Sequence, residues 1–151
     1  MGMLRITKSS VITFLFILTI SFYCEGASIV MTKKHEKFVP CPNSPNCINS
    51  KSDNPTHTID PLLYEGKEHP FSLLIPIIEK MSGTSIITQE ENYLHVEFRS
   101  MLFSFVDDVE FSYEAENKLI HIRSASRSGY YDFGANRKRL ERIRKHFNLR
   151  K

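Results

Sequence analysis

YLHVEFRSMLFSFVDDVEFSYEAENKLIHIRSAS, residues 93–126, decides the fold. Its apolar residues recur with a period of two, which is the mark of strands with one buried face. Leu94, Val96 and Phe98 share one side, and His95, Glu97 and Arg99 the other. MLFSFVDDVEFSYE (101–114) reads as one long strand, bent or bulged near Val106, and KLIHIRSAS (118–126) as the next, with AENK as the hairpin turn between them. A turn centred on Glu116 sets Val109 against Ile122 and Phe111 against Ile120 on the core side. That register also sets Asp108 against Arg123 and Glu110 against His121 on the opposite side.

Working outward, SIITQ (85–89) is a further short strand. PFSLLIPIIEKM (70–81) changes the period to that of a helix. Pro70 suits its first turn, Pro76 is expected to kink or restart it, and Gly83 ends it. After Asp132, a plausible N-cap, Ala135, Leu140, Ile143 and Phe147 form a narrow apolar stripe on a basic helix. The stretch from Phe38 to Pro61 is rich in Pro, Asn, Ser and Asp and reads as irregular. The order is helix, four strands, helix. The expectation is therefore an α+β fold: an antiparallel sheet of about four to five strands with helices on one face, preceded by an irregular segment containing cysteines.

With 151 residues, the chain has room for one domain. Its net charge of +3 is unevenly spread. Residues 27–136 hold ten Lys/Arg against fifteen Asp/Glu, a balance of −5; residues 137–151 hold eight basic residues against Glu141, a balance of +7. This tail either lies on the acidic body, forms a solvated helix face, or attracts phosphates and headgroups.

At the N-terminus, Arg5 and Lys8 precede VITFLFILTISFY, thirteen residues without charge and too few to span a bilayer comfortably. Residues 1–26 are expected to be a secretory signal peptide, with a lipid-modified Cys24 or an uncleaved anchor as alternatives. All three export the domain to the periplasm or cell envelope, in the last two attached to the membrane. Residues 27–37 then form a tether, and 38–149 the single globular domain. In an oxidising compartment the C-x5-C pair Cys41 and Cys47 is expected to be a disulfide. Free thiols and a metal site with His57 remain open; two cysteines and one histidine do not complete a closed zinc site.

RSASRSGYYDFGANRKRL (123–140) concentrates hydroxyls, glycines and arginines where a strand gives way to a helix. A helix N-terminus offers unpaired N–H groups to an anion. Arg123, Ser124, Ser126, Arg127, Asn136 and Arg137 are therefore the candidate ligand-binding residues. Against this, Asp132 would occupy the same donors, and the arginines have internal partners in an acidic network of Asp107, Asp108, Glu110 and Asp132. A purely structural charge network is thus one reading, and anion or headgroup binding another. Catalysis is the third, as a hydrolase or transferase using the acidic, Ser and Arg cluster, with Ser124 or Ser126 as nucleophile and His95 or His121 as base. No P-loop, G-x-S-x-G, H-E-x-x-H or dinucleotide motif occurs, and no catalytic residue, metal or cofactor is assigned. The leading expectation is a non-enzymatic envelope module that binds a small ligand, a lipid headgroup or a protein partner; the partner is not identified by the sequence, an anionic membrane surface and an envelope protein being the candidates. Nucleic acid is disfavoured, since the basic helix interleaves few aromatics.

CPNSPNC (41–47), FVDDVEF (105–111) and RSASRSGYYDFGANRKRLERIR (123–144), with their spacing, resemble the family called domain of unknown function 1499 over about residues 38–149. The resemblance implies a single small domain, often exported or membrane-attached, and supplies no catalytic residue to carry over. Its motifs coincide with the cysteines, the acidic pair and the Ser/Arg cluster chosen above.

Overall fold

In the computed structural model, residues 37–150 are described. The expected signal segment, Cys24 and all of the tether but Lys37 lie outside the described residues. The sheet is built on three long strands, β4 (Tyr93–Arg99), β5 (Val106–Glu114) and β6 (Leu119–Ser126). β3 (Thr84–Gln89) extends it beyond β4. On the far side of β6 lie two short pieces from the irregular segment, β1 (Cys47–Asn49) and β2 (Leu62–Leu63). Every pairing between these strands is antiparallel, in the order β1-β6-β5-β4-β3 with β2 also on β6. The fold is thus the expected α+β antiparallel sheet. The two extra strands were invisible as a pattern because they are three and two residues long.

Two helices, α1 (Phe71–Glu79) and α2 (Ala135–Asn148), cover one face. Leu94, Val96, Val109, Phe111, Ile120 and Ile122 of the sheet meet Leu74, Ile77 and Ile78 of α1 and Leu140, Ile143 and Phe147 of α2 in one core. α1 runs through Pro76 as one helix; the carbonyl that Pro76 cannot bond is that of Ser72, an exposed residue. Gly83 follows at φ +75°, where a Cβ would lie 2.2 Å from the Arg99 carbonyl oxygen. α2 starts three residues after Asp132, whose carboxylate accepts the Gly134 and Asn136 amides at 2.9 Å each. Ala135 is exposed; the buried position at the start of the stripe belongs to Asn136.

Two further details depart from the sequence reading. The hairpin register is shifted by two residues: Val109 pairs with Ser124, Phe111 with Ile122, Glu110 with Arg123, and Asp108 with Ala125. The turn spans Ala115 to Lys118, with Lys118 at φ +54°, so its centre lies one residue further along. An even shift preserves every face but changes each partner. Secondly, residues 101–105 are not strand. Ser104 takes φ +54°, the Ser100 amide donates to the Phe105 carbonyl at 2.9 Å, and the Phe105 amide to Ser100 Oγ at 3.0 Å. A tight loop here lets β5 turn back against β4. It leaves Met101, Leu102, Phe103 and Phe105 in solvent.

Candidate functional site

The strand period divides the candidate residues between two faces. On the face away from the helices, His95, Glu110 and Arg123 stand in one row across β4, β5 and β6, with Glu97 and Asp108 in the next. Glu110 is fully buried. Its Oε2 accepts from Arg123 Nη1 at 2.6 Å, and its Oε1 from the Tyr93 hydroxyl at 2.6 Å and the Phe38 amide at 2.8 Å. His95 Nε2 donates to Asp108 Oδ1 at 2.7 Å, and Arg127 donates to both Asp108 oxygens and to Glu97.

Burial alone would raise the Asp108 carboxyl, but the hydrogen bonds from His95 and Arg127, with their charges, hold it well below the usual carboxylate range. Burial and the hydrogen bond to Glu110 push the Tyr93 phenol well above its ordinary range. Hydrogen bonding to Asp108 raises Arg127 further. Asp108 is therefore a fixed anion and Tyr93 a fixed donor, and neither is poised to exchange a proton near neutrality.

The residues just before Cys41 are tied across this face. Besides the Phe38–Glu110 bond, Lys37 Nζ lies 4.7 Å from the centre of the Tyr93 ring and Asn49 Nδ2 donates to the Val39 carbonyl. Cys41 and Cys47 form the disulfide, with Cα atoms 5.6 Å apart, so β1 anchors this strap covalently. The disulfide also removes the ligands of the metal alternative, and His57 Nδ1 donates to the Cys47 carbonyl at 2.9 Å. Among the described residues no group of three or more His, Cys, Asp or Glu side chains could hold a metal ion.

The helix-side face carries a second polar cluster. Asn136, fully buried, accepts from Ser124 Oγ at 2.5 Å and Arg139 Nη1 at 2.7 Å, and donates to Ser126 Oγ and the Asn46 carbonyl. Asn46 Nδ2 donates to the Gly129 carbonyl at 2.6 Å, and Arg139 Nη2 to Asp107 at 2.5 Å. This cluster joins the CPNSPNC loop, the end of β6 and the first turn of α2.

The six ligand-binding candidates are accordingly not brought together. Arg123 and Arg127 lie on one face, Ser124, Ser126 and Asn136 on the other, and Arg137 donates to the Thr56 and Thr58 carbonyls. Of the acidic four, Asp108 and Glu110 belong to the open face, Asp107 to Arg139, and Asp132 to the helix start. The expected pairing of Ser124 or Ser126 with His95 or His121 does not form: both serines are on the helix side, while on the other His95 bonds Asp108, and His121 lies between Glu114 at 3.0 Å and Ser50 Oγ at 3.3 Å.

Sequence reasoning missed a groove of about 640 Å³ between the end of α1, the β4–β5 edge and α2. Ile77, Met81 and Phe98 give it apolar wall; Lys80, Arg99, Lys138, Arg142, His146 and Arg150 give it positive charge. Asp107 is its single acid, and Arg139, stacked 4.8 Å over the Phe98 ring, neutralises it. Among the described residues Lys80, Lys138, Arg142 and Arg150 make no ion pair. The +7 tail signalled half of this groove; Lys80 and Arg99 join it only through the fold.

No curated protein and no solved structure matches the chain. Residues 37–147 match the family described as protein of unknown function (DUF1499), a span that takes in the strap, both polar clusters and all but the end of α2. The chain belongs to that family.

Proposed function

We propose that this is a non-enzymatic binding module of the cell envelope, exported by its N-terminal segment, and that the basic groove receives an anionic headgroup. The observation that carries this reading is charge without compensation. Four lysine and arginine side chains around one apolar-walled groove lack acidic partners among the described residues, whereas Arg123, Arg127 and Arg139 are each spent on a carboxylate. Guanidinium and ammonium groups bind phosphate and carboxylate, and the wall of Ile77, Met81 and Phe98 suits a ligand with an apolar portion. The basic helix is thus favoured over the Ser/Arg loop as the contact surface. The disulfide supports an oxidising compartment.

Titration of the protein with short-chain, monomeric phosphatidylglycerol, followed by backbone NMR shifts, tests the reading. The expected changes cluster at Lys80, Arg142 and Arg150 and shrink with salt. Arg142→Glu with Arg150→Glu is expected to weaken binding by about tenfold or more, since each charge near an anionic surface is worth about 1 kcal/mol. Shifts confined to the Arg127 side of the sheet, or none, would overturn it. Reduced Cys41 and Cys47 in chain isolated from its own cells would overturn the location.

A further inference from the structure

The loop from Met101 to Phe105 is an apolar projection. Met101 is 91% exposed, Leu102 81%, Phe103 68% and Phe105 56%. SMLFSFV (100–106) contains no charge, and its turn is closed by the Ser100 and Phe105 bonds and by the Ser104 amide donating to the Ser100 carbonyl at 3.2 Å. The amides of Ser100, Ser104 and Phe105 and the carbonyls of Ser100 and Phe105 are therefore satisfied within the turn, which lowers the cost of removing that part of it from water. Phe103 and Phe105 rest on each other with ring centres 5.6 Å apart, so the projection has a shape of its own.

Its surroundings are basic and aromatic. Met101 lines the groove, and Arg99 stands at the base of the loop. The loop after β6 leaves the sheet at the same end, because Arg99 pairs with Val106, Asp107 with Ser126, and the Arg127 amide donates to the Val106 carbonyl at 3.0 Å. That loop exposes Tyr130, Tyr131 and Phe133. One end of the domain thus combines an uncharged apolar tip, exposed aromatics and the groove's cations, four of which have no acidic partner among the described residues. A bilayer interface with anionic headgroups matches all three, because apolar insertion and basic attraction together hold a peripheral domain where either alone is weak.

We propose that the Met101–Phe105 tip inserts into the interfacial region of an anionic lipid bilayer while Lys80, Lys138, Arg142 and Arg150 meet its phosphates. This rests on the headgroup reading of the groove and names its partner as lipid in a membrane. The chain has no tryptophan, so Phe103→Trp supplies a reporter confined to the tip, blind to any membrane contact made by residues 11–23. The full chain carrying Phe103→Trp is mixed with vesicles of phosphatidylcholine alone or with phosphatidylglycerol, some brominated along the acyl chain.

The expected result is a blue-shifted emission quenched by the brominated lipid on anionic vesicles, weaker at high salt. Adding Leu102→Asp is expected to reduce the quenched fraction about tenfold at limiting lipid. Leu102→Ser, gentler to the loop, is expected to reduce it less. Unshifted, unquenched emission overturns the insertion; shifts at Arg142 and Arg150 with monomeric phosphatidylglycerol would then still uphold the groove. Shift and quenching that survive Arg142→Glu with Arg150→Glu on anionic vesicles would overturn the role of the cations. Quenching equal on neutral vesicles overturns the requirement for anionic lipid, and a blue shift produced by an envelope protein without lipid overturns the bilayer as occupant.

Discussion

Replacing either partner of the buried Glu110–Arg123 pair should destabilise the domain far more than replacing both. Glu110→Gln keeps an oxygen for the Tyr93 hydroxyl and the Phe38 amide but turns its NH2 toward Arg123 Nη1, so it removes both the charge and the acceptor that Arg123 uses. Arg123 is then a cation with 6% side-chain exposure and no charge partner in the described network, a situation that costs about 3–5 kcal/mol. Arg123→Met leaves the carboxylate without its cation. At pH 7 that loss has a ceiling of about 3.7 kcal/mol, the cost of protonating a carboxyl of ordinary pKa, after which burial is of a neutral acid. The variant's native state then binds more protons than its unfolded state. Its deficit should therefore shrink by up to about 1.4 kcal/mol per unit as pH falls from 7 toward 5. In Glu110→Gln/Arg123→Met no charge is stranded, and the buried Arg123 Nε, which lacks a hydrogen-bond partner among the described residues, goes with its side chain. The double variant should lie within about 2 kcal/mol of the parent, a coupling of at least about 2 kcal/mol. Urea unfolding with the disulfide intact, followed by far-ultraviolet circular dichroism at pH 7 and pH 5.5, measures all four proteins. Single losses under about 1 kcal/mol that simply add would refute the reasoning, because they would mean the pair is hydrated in solution.

Asp108 supplies a pH signature of opposite sign. Its folded pKa is depressed, so its contribution is complete above the ordinary aspartate value of about 4 and disappears as pH falls through the folded value. Wild type should exceed Asp108→Asn in stability at neutral pH and lose that advantage in acid, as thermal melts from pH 7 to pH 2 would register. Replacing Cys41 and Cys47 by serine should cost about 2 kcal/mol for so short a loop, and should speed hydrogen exchange at the Phe38 amide, which the disulfide helps hold on Glu110. Asn136→Ala should cost about 2 kcal/mol in urea unfolding, because Ser124 and Arg139 each lose a buried partner.

How much could be read beforehand follows from which features are periodic. The alternation in 93–99 and 119–126 placed Leu94, Val96, Phe98, Ile120 and Ile122 in the core, and the structure keeps them there. Register was less accessible: period two fixes the face of Arg123 but not whether it meets Asp108 or Glu110, which depends on the conformation of Lys118. The β4–β5 loop was misread because Met101, Leu102, Phe103 and Phe105 have strand-forming composition, while the turn is made by serine hydroxyl and backbone bonds around Ser100 and Ser104. The sequence did contain a warning: Met101, Leu102 and Phe103 are three consecutive apolar residues, which no half-buried strand can place on one face. The groove escaped for a different reason. Arg142 and Arg150 belong to the tail, but Lys80 is remote in sequence and reaches them only when α1 packs beside α2.

The distribution of bonded and unbonded charge argues for separating what specifies this fold from what it presents. RSASRSGYYDFGANRKRL looked like a binding loop because it is rich in donors. Yet Arg123, Ser124, Ser126, Asn136 and Arg139 spend them on Glu110, on one another and on Asp107. Once buried, such donors are held by the cost of leaving a partner unmet, so the motif would be retained for folding even if nothing ever bound there. The side chains without that constraint are Lys80, Lys138, Arg142 and Arg150 in the groove and the apolar tip beside them. Solvent-exposed cations and aromatics contribute little to stability and tolerate replacement unless a partner requires them. Exchanging those four cations for glutamine should therefore leave the urea midpoint nearly unchanged while removing vesicle binding. Exchanging Arg123 should do the reverse at any lipid concentration at which the protein stays folded, and urea curves and lipid sedimentation on the same preparations would show whether the two properties part in this way.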